Sequence, residues 1–301
     1  MTVHKAMRRA WVGVVAALAL ASAAAAAAPN DKVGFSIIRT GGRLTSESML
    51  YQGGGKAKVD VVYSAILVRH GGQAFLFDTG LGARIDAQYG RDMPRWKRPF
   101  FHYDKPIVPV RDQLARAGLP AVRRIVLSHS HWDHASGVVD FPGAEVWVAP
   151  PERALVGKAG HGADNIWPSQ VGDPGIAWTS IDFRSGPYRG FERSLDVYAD
   201  GTVVLVPQYG HTAGSIGMFV TTSSGRRFFF CGDTVWSAAA IDAGRPKFWL
   251  ARALVDADAR ATLSQVRRME ALRKHDPGLT IVPAHDGRVQ ARLGFFPGWV
   301  E

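Results

Sequence analysis

Beyond residue 30 the chain alternates short apolar, β-branched runs with Gly, Pro, Asp and Ser. This is the pattern of many strands joined by turns and a few helices, rather than of a helical bundle. Residues 33–38 and 59–68 predict strands. The turn His70-Gly-Gly-Gln73 then leads into a strand over 74–78, making a hairpin, and Thr79-Gly-Leu-Gly82 punctuates its end. Residues 84–106 are irregular and rich in Arg, Trp, Phe, Tyr and Pro, which fits a pocket-flanking loop and a packed surface excursion equally well. A short helix over 110–117 is stopped by Gly118 and Pro120. Strands follow over 122–127 and 145–149, Pro151-Glu152 opens a helix, and further short strands fall before residue 200. A second series covers 202–206, 215–222 and 227–231, with Ser223-Ser-Gly225 as a hairpin turn. A helix over 253–274 carries Leu254, Val255, Leu263, Val266 and Leu272 among charges, and 279–282 is the last clear strand. No solenoid repeat and no linker-like break interrupts the pattern, so one domain is expected over residues 29–301.

The first residues follow a different pattern. Lys5, Arg8 and Arg9 precede a stretch with no charge until Asp31. Within it an apolar run over 11–20 fades into the small residues of 21–28. A basic start, a short apolar segment and an Ala-rich end describe a cleaved secretory signal over 1–28, and the run is only weakly apolar for a spanning helix. A periplasmic or secreted location follows as the expectation, with no membrane attachment after signal removal.

Charge changes little. The 36 Lys+Arg against 26 Asp+Glu give +10, and removal of the three basic leader residues leaves 33 − 26 = +7. The densest basic patch, Arg91 to Arg98, suits a solvated face and has no interleaving of the nucleic-acid-binding kind. A small-molecule substrate is expected, and no nucleic acid. The one cysteine, Cys231, excludes an intrachain disulfide framework and any Cys-based zinc cluster. Its place in Arg227-Phe-Phe-Phe-Cys231 suits a packed core thiol.

Chemistry concentrates in His129-Ser-His131-Trp-Asp133-His134. Three imidazoles and a carboxylate within six residues are too many to bury without a cation, and they are ligands that zinc and similar divalent metals accept. His129 and His131 can reach one ion, and Asp133 and His134 another. Three more groups stand just past predicted strands: His211 after 202–206, Asp233 after 227–231 and His285 after 279–282. Strand ends of layered folds converge on one edge, where active sites commonly lie.

These motifs resemble the metallo-β-lactamase superfamily. The matching segments are His129–His134, Gly210-His-Thr-Ala-Gly214, Cys231-Gly-Asp-Thr234, Pro283-Ala-His-Asp286 and Phe77-Asp-Thr-Gly80. The resemblance implies a four-layer αββα sandwich with a dinuclear metal site at one edge. It further implies that His129, His131 and His211 hold the first metal, that Asp133, His134 and His285 hold the second, and that Asp233 bridges both. Asp78 would order the site from behind. Two zinc ions are the expected cofactors, other divalent metals being possible, and a metal-bridging hydroxide would attack the substrate without a serine or cysteine nucleophile. No G-x-S-x-G elbow is present, since Gly214-Ser-Ile-Gly217 lacks the pattern.

Within the superfamily the layout looks most like the N-acyl homoserine lactonase group, so an exported zinc hydrolase opening a lactone or related cyclic ester is expected. β-Lactam hydrolysis is the alternative, and a mono-iron sulfur dioxygenase-like oxidoreductase is the alternative of another class. Those lactonases carry a tyrosine three residues after the bridging Asp, and this chain has Trp236. An indole N–H donates a hydrogen bond but is no acid. Asp133, as the holder of the attacking water, and Trp236, as a donor, are the candidate catalytic residues. Trp132, Trp236 and the 96–103 stretch are candidate pocket walls. His4 lies in the leader, and His70, His102, His161 and His275 read as turn, surface or capping residues.

Overall fold

A computed structural model describes residues 32–161 and 165–301; the expected leader lies outside them. Strands β1 (Val33–Ser46), β2 (Lys58–His70), β3 (Gln73–Phe77), β4 (Arg124–Val126), β5 (Glu145–Val148) and β6 (Ala177–Ser180) form one sheet in that order. Strands β7 (Leu195–Asp196), β8 (Val203–Pro207), β9 (Ile216–Thr221), β10 (Arg227–Phe230) and β11 (Leu279–Val282) form the other. The hairpins β1–β2–β3 are antiparallel, and β3 through β6 run parallel. In the second sheet only β10 and β11 pair in parallel. The helices are α1 (Ile85–Asp92), α2 (Val110–Arg116), α3 (Trp132–Ala135), α4 (Pro150–Val156), α5 (Pro168–Val171), α6 (Ala238–Asp242), α7 (Trp249–Val255), α8 (Ala259–His275) and α9 (Gly287–Leu293).

The layering follows from the period-2 alternation of the strands. Phe35, Ile66, Phe75 and Val126 of the first sheet meet Val203, Met218, Phe228 and Val282 of the second in one core. Phe35 packs edge-on against Phe228 and Phe230, with ring centroids 4.7 and 5.0 Å apart. Intervening residues point the other way. Leu67, Leu76 and Ile125 bury against Val110 and Leu114 of α2, while Val204, Phe229 and Ile281 bury against Ile241 of α6 and Val266 and Met269 of α8. Both faces of both sheets are therefore covered, which explains the near-continuous apolar strands. The result is the expected α/β sandwich.

Several boundaries differ from the sequence expectation. β1 continues through Gly41-Gly42 to Ser46, because a register shift between Arg39 and Gly41 absorbs the irregularity as a bulge. Residues 84–106 hold α1, and Ile85, Tyr89, Met93, Phe101 and Tyr103 pack around Trp132 and Trp167. The predicted helix over 253–274 is two helices. Asp258 caps α8 by accepting from the backbone N–H groups of Arg260 and Ala261, so α7 ends at Val255 and Asp256 is released into the interior. Cys231 is buried in the core, and burial pushes its thiol well above the ordinary range.

Candidate metal centre

Four strands of the two sheets deliver the ligands to one edge. His129 lies past β4, and His131 caps the single turn α3, which carries Asp133 and His134. His211, Asp233 and His285 follow β8, β10 and β11. Two groups result: His129, His131 and His211; and Asp133, His134, Asp233 and His285. In each group the potential ligand atoms all lie within 4.8 Å of one another. All seven expected ligand positions are therefore brought together, and all are buried. Asp233 stands between the groups. Its Oδ1 is 3.2 Å from His134 Nε2 and 3.0 Å from His285 Nε2, while Oδ2 lies 3.7 Å from His211 Nε2.

The outer nitrogens fix how the rings present themselves. His134 Nδ1 lies 2.9 Å from Asp78 Oδ2, and His211 Nδ1 lies 2.8 Å from Asp256 Oδ1. His285 Nδ1 lies 2.8 Å from the Val62 carbonyl. Each of these partners only accepts. His129 Nδ1 lies 2.9 Å from Ser128 Oγ, which already donates to Asp78 Oδ2 at 2.8 Å and so accepts from the ring. Four Nδ1–H groups therefore point outward, and four Nε2 atoms are left aimed inward. His129 Nε2 and His211 Nε2 face each other at 3.2 Å. His285 Nε2 faces the Asp133 carboxylate at 3.2 Å, and the buried His134 Nε2 and Asp233 Oδ1 have no hydrogen-bond donor. Acceptors aimed at acceptors in a buried site are costly unless a cation sits among them. The donor set of imidazole and carboxylate fits divalent metal ions.

Electrostatics divides the two groups. Burial pushes His129 and His131 well below the ordinary histidine range, and neighbouring imidazoles add to the shift. His211 is also lowered, by burial first and then by Lys247. Burial opposes charge on His285 too, but the Asp233 and Asp133 carboxylates outweigh it and raise that group to about 10. His134 is raised for the same reason, with Asp78 as its strongest partner.

Asp78 adopts a left-handed backbone, φ 61°, immediately after β3. This turns its carboxylate to take the Ser128 backbone N–H at 2.7 Å on Oδ1 and His134 on Oδ2. Asp and Asn tolerate this conformation better than most residues. Trp236 lies beside the site, but its indole N–H donates to Asp233 Oδ2 at 2.8 Å instead of facing an open position. Trp132 is buried and stacks on Trp167, with centroids 5.3 Å apart, as core rather than pocket wall. Phe100, Phe101 and Trp236 do line a cleft. His70 stacks on Tyr198 and pairs with Asp200, while His161 is exposed in a turn. His275 ends α8, and the His102 carbonyl accepts from the Tyr63 hydroxyl.

Three supporting residues escape the motif reading. The Glu152 carboxylate accepts from the backbone N–H of Ser130 at 2.7 Å and from Thr212 Oγ1 at 2.5 Å, tying the first histidine segment to the His211 loop. A Cβ on Gly214 would come within 2.2 Å of the Glu152 backbone nitrogen, so this close approach requires glycine. Lys247 is fully buried, its Nζ 2.7 Å from Asp256 Oδ1 and 3.2 Å from the Thr234 carbonyl. Nothing in the local sequence around Lys247 or Asp256 marks them; Asp256 lies in the break between α7 and α8, and Lys247 lies ahead of α7.

The family model of the metallo-β-lactamase superfamily matches residues 59–285. The chain belongs to the metallo-β-lactamase superfamily. Its αββα layers and edge-placed histidine and aspartate cluster are the superfamily's arrangement as the sequence motifs implied it. A probable metallo-hydrolase of Mycobacterium tuberculosis is 33% identical over 186 residues, 55% of either chain. The N-acyl homoserine lactonase AttM of Rhizobium radiobacter is 29% identical over 182 residues, 58% of this chain and 63% of its own. The chain thus spans little more than half the length of the curated relatives it matches. Among solved structures, a variant of B. thuringiensis AiiA with N-decanoyl-L-homoserine bound at the active site superposes with a TM-score of 0.67 at 18% identity. That match covers 89% of this chain and 98% of the other. AidC, a dizinc quorum-quenching lactonase, gives 0.57 at 17% identity, covering 89% and 93%. At these identities the superpositions establish a shared fold.

Proposed function

We propose that this superfamily member is an exported, metal-dependent hydrolase that opens a lactone or related cyclic ester at a pair of divalent ions, zinc by preference. One observation carries the metal-centre reading: four Nε2 atoms and two carboxylates converge in one buried space, where the His129 and His211 lone pairs face each other at 3.2 Å. The lactone reading is supported by the lactonase fold and by the AttM relationship, and export by the leader pattern over 1–28.

His129, His131 and His211 would hold one ion, and Asp133, His134 and His285 the other, with Asp233 shared. Such ions supply Lewis acidity and make water a usable nucleophile near neutral pH, where its bulk pKa is about 15.7. The chain's own residues do the rest. Asp133 lies within 3.2 Å of His285 Nε2 in the second group. Asp133 is thereby placed to accept the proton released by the attacking water and return it to the leaving alkoxide. Asp233 is fixed by the Trp236 indole N–H, so Trp236 serves as a positioning residue for the shared ligand rather than as a donor to the substrate carbonyl.

Metal analysis together with a hydrolysis panel tests the proposal. About two zinc equivalents per chain, with lactone turnover that a chelator abolishes and zinc restores, is the expected result. No turnover of any lactone by the fully metallated protein would refute it. Nitrocefin hydrolysis in that case would point to β-lactams, and one iron per chain with oxygen uptake would point to a dioxygenase.

A further inference from the structure

Four of the five histidines at the centre have an outward partner for Nδ1: Ser128, Asp78, Asp256 and the Val62 carbonyl. His131 is the exception. Among the described residues no group hydrogen-bonds its ring nitrogens. Its ring is nonetheless as regularly placed as its neighbours. The centroids of His129, His131 and His211 lie 4.6 Å apart in all three pairs, and the ring planes cross at 80°, 80° and 83°. With no partner on its nitrogens, the His131 ring takes its place in this three-sided array from its backbone.

The residue before His131 is held firmly. Glu152, on α4, is fully buried, and its Oε1 accepts from the Ser130 backbone N–H at 2.7 Å and from Ser130 Oγ at 2.5 Å. Its Oε2 accepts from Thr212 Oγ1 at 2.5 Å. A carboxylate only accepts, which places each hydrogen of this network. Thr212 Oγ1 gives its hydrogen to Glu152 and takes one from Ser215 Oγ at 2.8 Å, while Ser215 Oγ takes the Thr212 backbone N–H at 2.8 Å. Ser130 stands between His129 and His131, and Thr212 directly follows His211. One side chain therefore spans the two segments that carry every member of the first group.

We propose that Glu152 is a positioning residue for the first metal group, setting the His131 ring against His211 in place of the Nδ1 partner that His131 lacks. The inference deepens the metal-centre reading and rests on it, but not on the choice of substrate. A bridge of this kind acts as a unit. Cutting either arm frees the two segments, and cutting the other arm afterwards changes little more.

Zinc titration of the metal-free full chain against a chromophoric chelator tests this, with the first-group step identified as the one that His131→Ala removes. Glu152→Ala should weaken that step by about 10- to 100-fold and leave the other nearly unchanged. Thr212→Val keeps the side-chain shape and removes one arm. It should weaken the same step by about 10-fold, and it carries the test if Glu152→Ala fails to fold. The double variant should match Glu152→Ala within about 2-fold. Glu152→Gln should recover most of the affinity, because its amide oxygen still accepts from Ser130 and its N–H reaches Thr212 Oγ1, whose own hydrogen turns to Ser215 Oγ. Additive losses in the double variant, equal losses in both steps, or Glu152→Gln as weak as Glu152→Ala would each overturn the proposal. A lowered urea midpoint with both zinc steps intact would do the same, since it means that Glu152 serves the fold alone. Wild type that takes up no zinc refutes the metal-centre reading and this inference with it. Two zinc ions bound alike by wild type, Glu152→Ala and Thr212→Val refute this inference alone.

Discussion

The two halves of the candidate metal centre solve the same problem with opposite electrostatics. The first presents three imidazoles that burial and mutual repulsion keep neutral. The second presents Asp133 and Asp233 beside two histidines, and without a metal its carboxylates draw protons onto His285 and His134. A divalent ion in the second half is met by negative charge within the ligand set. In the first half negative charge comes only from Asp233 and, one bond further out, from Asp256 behind His211. Lys247 compensates Asp256 at 2.7 Å, so the support orients His211 and adds little net charge. Among the described residues no lysine pairs with Asp78 behind His134; it is held by Ser128, which also meets His129. The first half therefore depends on ring geometry and soft nitrogen donors, and the second on charge.

The largest effects should come from the ligands themselves. Asp233→Ala removes the residue proposed to be shared by both halves and should lower bound metal at both. His131→Ala and Asp133→Ala should each cost about one equivalent. All three should reduce hydrolysis by more than about 100-fold, beyond what outer partners typically contribute. Metal content of the purified variants decides this, and loss of both ions from His131→Ala would show that the halves are one cooperative unit. Next in size is Lys247→Met. It leaves Asp256 buried and uncompensated, and breaking such a pair costs about 3–5 kcal/mol. Adding Asp256→Asn should return part of that stability, because the orphaned charge goes with it. Urea unfolding of the metal-free single and double variants checks this. An additive double mutant would mean that the pair does not set the electrostatics of the first half.

What the sequence made legible follows the same division. The candidate ligands could be read because chemistry demands several of them and topology places them at strand ends, so His129 to His134, His211, Asp233 and His285 stand out against apolar strands. Their supports could not. Lys247, Asp256 and Glu152 are single charged residues among many, and only tertiary contacts bury them. The apolar spacing over 253–274 reads as one helix; the Asp258 cap that splits it is a local competitor that periodicity does not register. Likewise the apolar run over 33–38 reads as a short strand, whereas β2 pairs with β1 on past Gly41-Gly42 across the bulge. Trp236 was visible as a departure from the lactonase pattern, but the direction of its N–H was not.

Smaller effects test whether the halves are independent. Asp256→Asn should weaken metal binding by about 10- to 100-fold in the first half alone. Asp78→Asn, which preserves a residue able to adopt φ near +60°, should weaken the second half by a similar factor and, through Ser128, the first half to a lesser degree. Competition with a chromophoric chelator resolves the two steps, and identical profiles for both variants would break the comparison. The smallest expected change is Trp236→Phe. The ring volume is largely kept, so packing against His285 at 6.2 Å survives, but Asp233 Oδ2 loses its donor. Hydrogen bonds to charged groups are worth about 1.5–3 kcal/mol, and a bound cation satisfies much of the orphaned oxygen. Metal affinity should therefore fall by less than about 10-fold, with kcat following it and KM nearly constant. A loss in kcat at full metal occupancy would instead return Trp236 to the role of direct donor to the substrate.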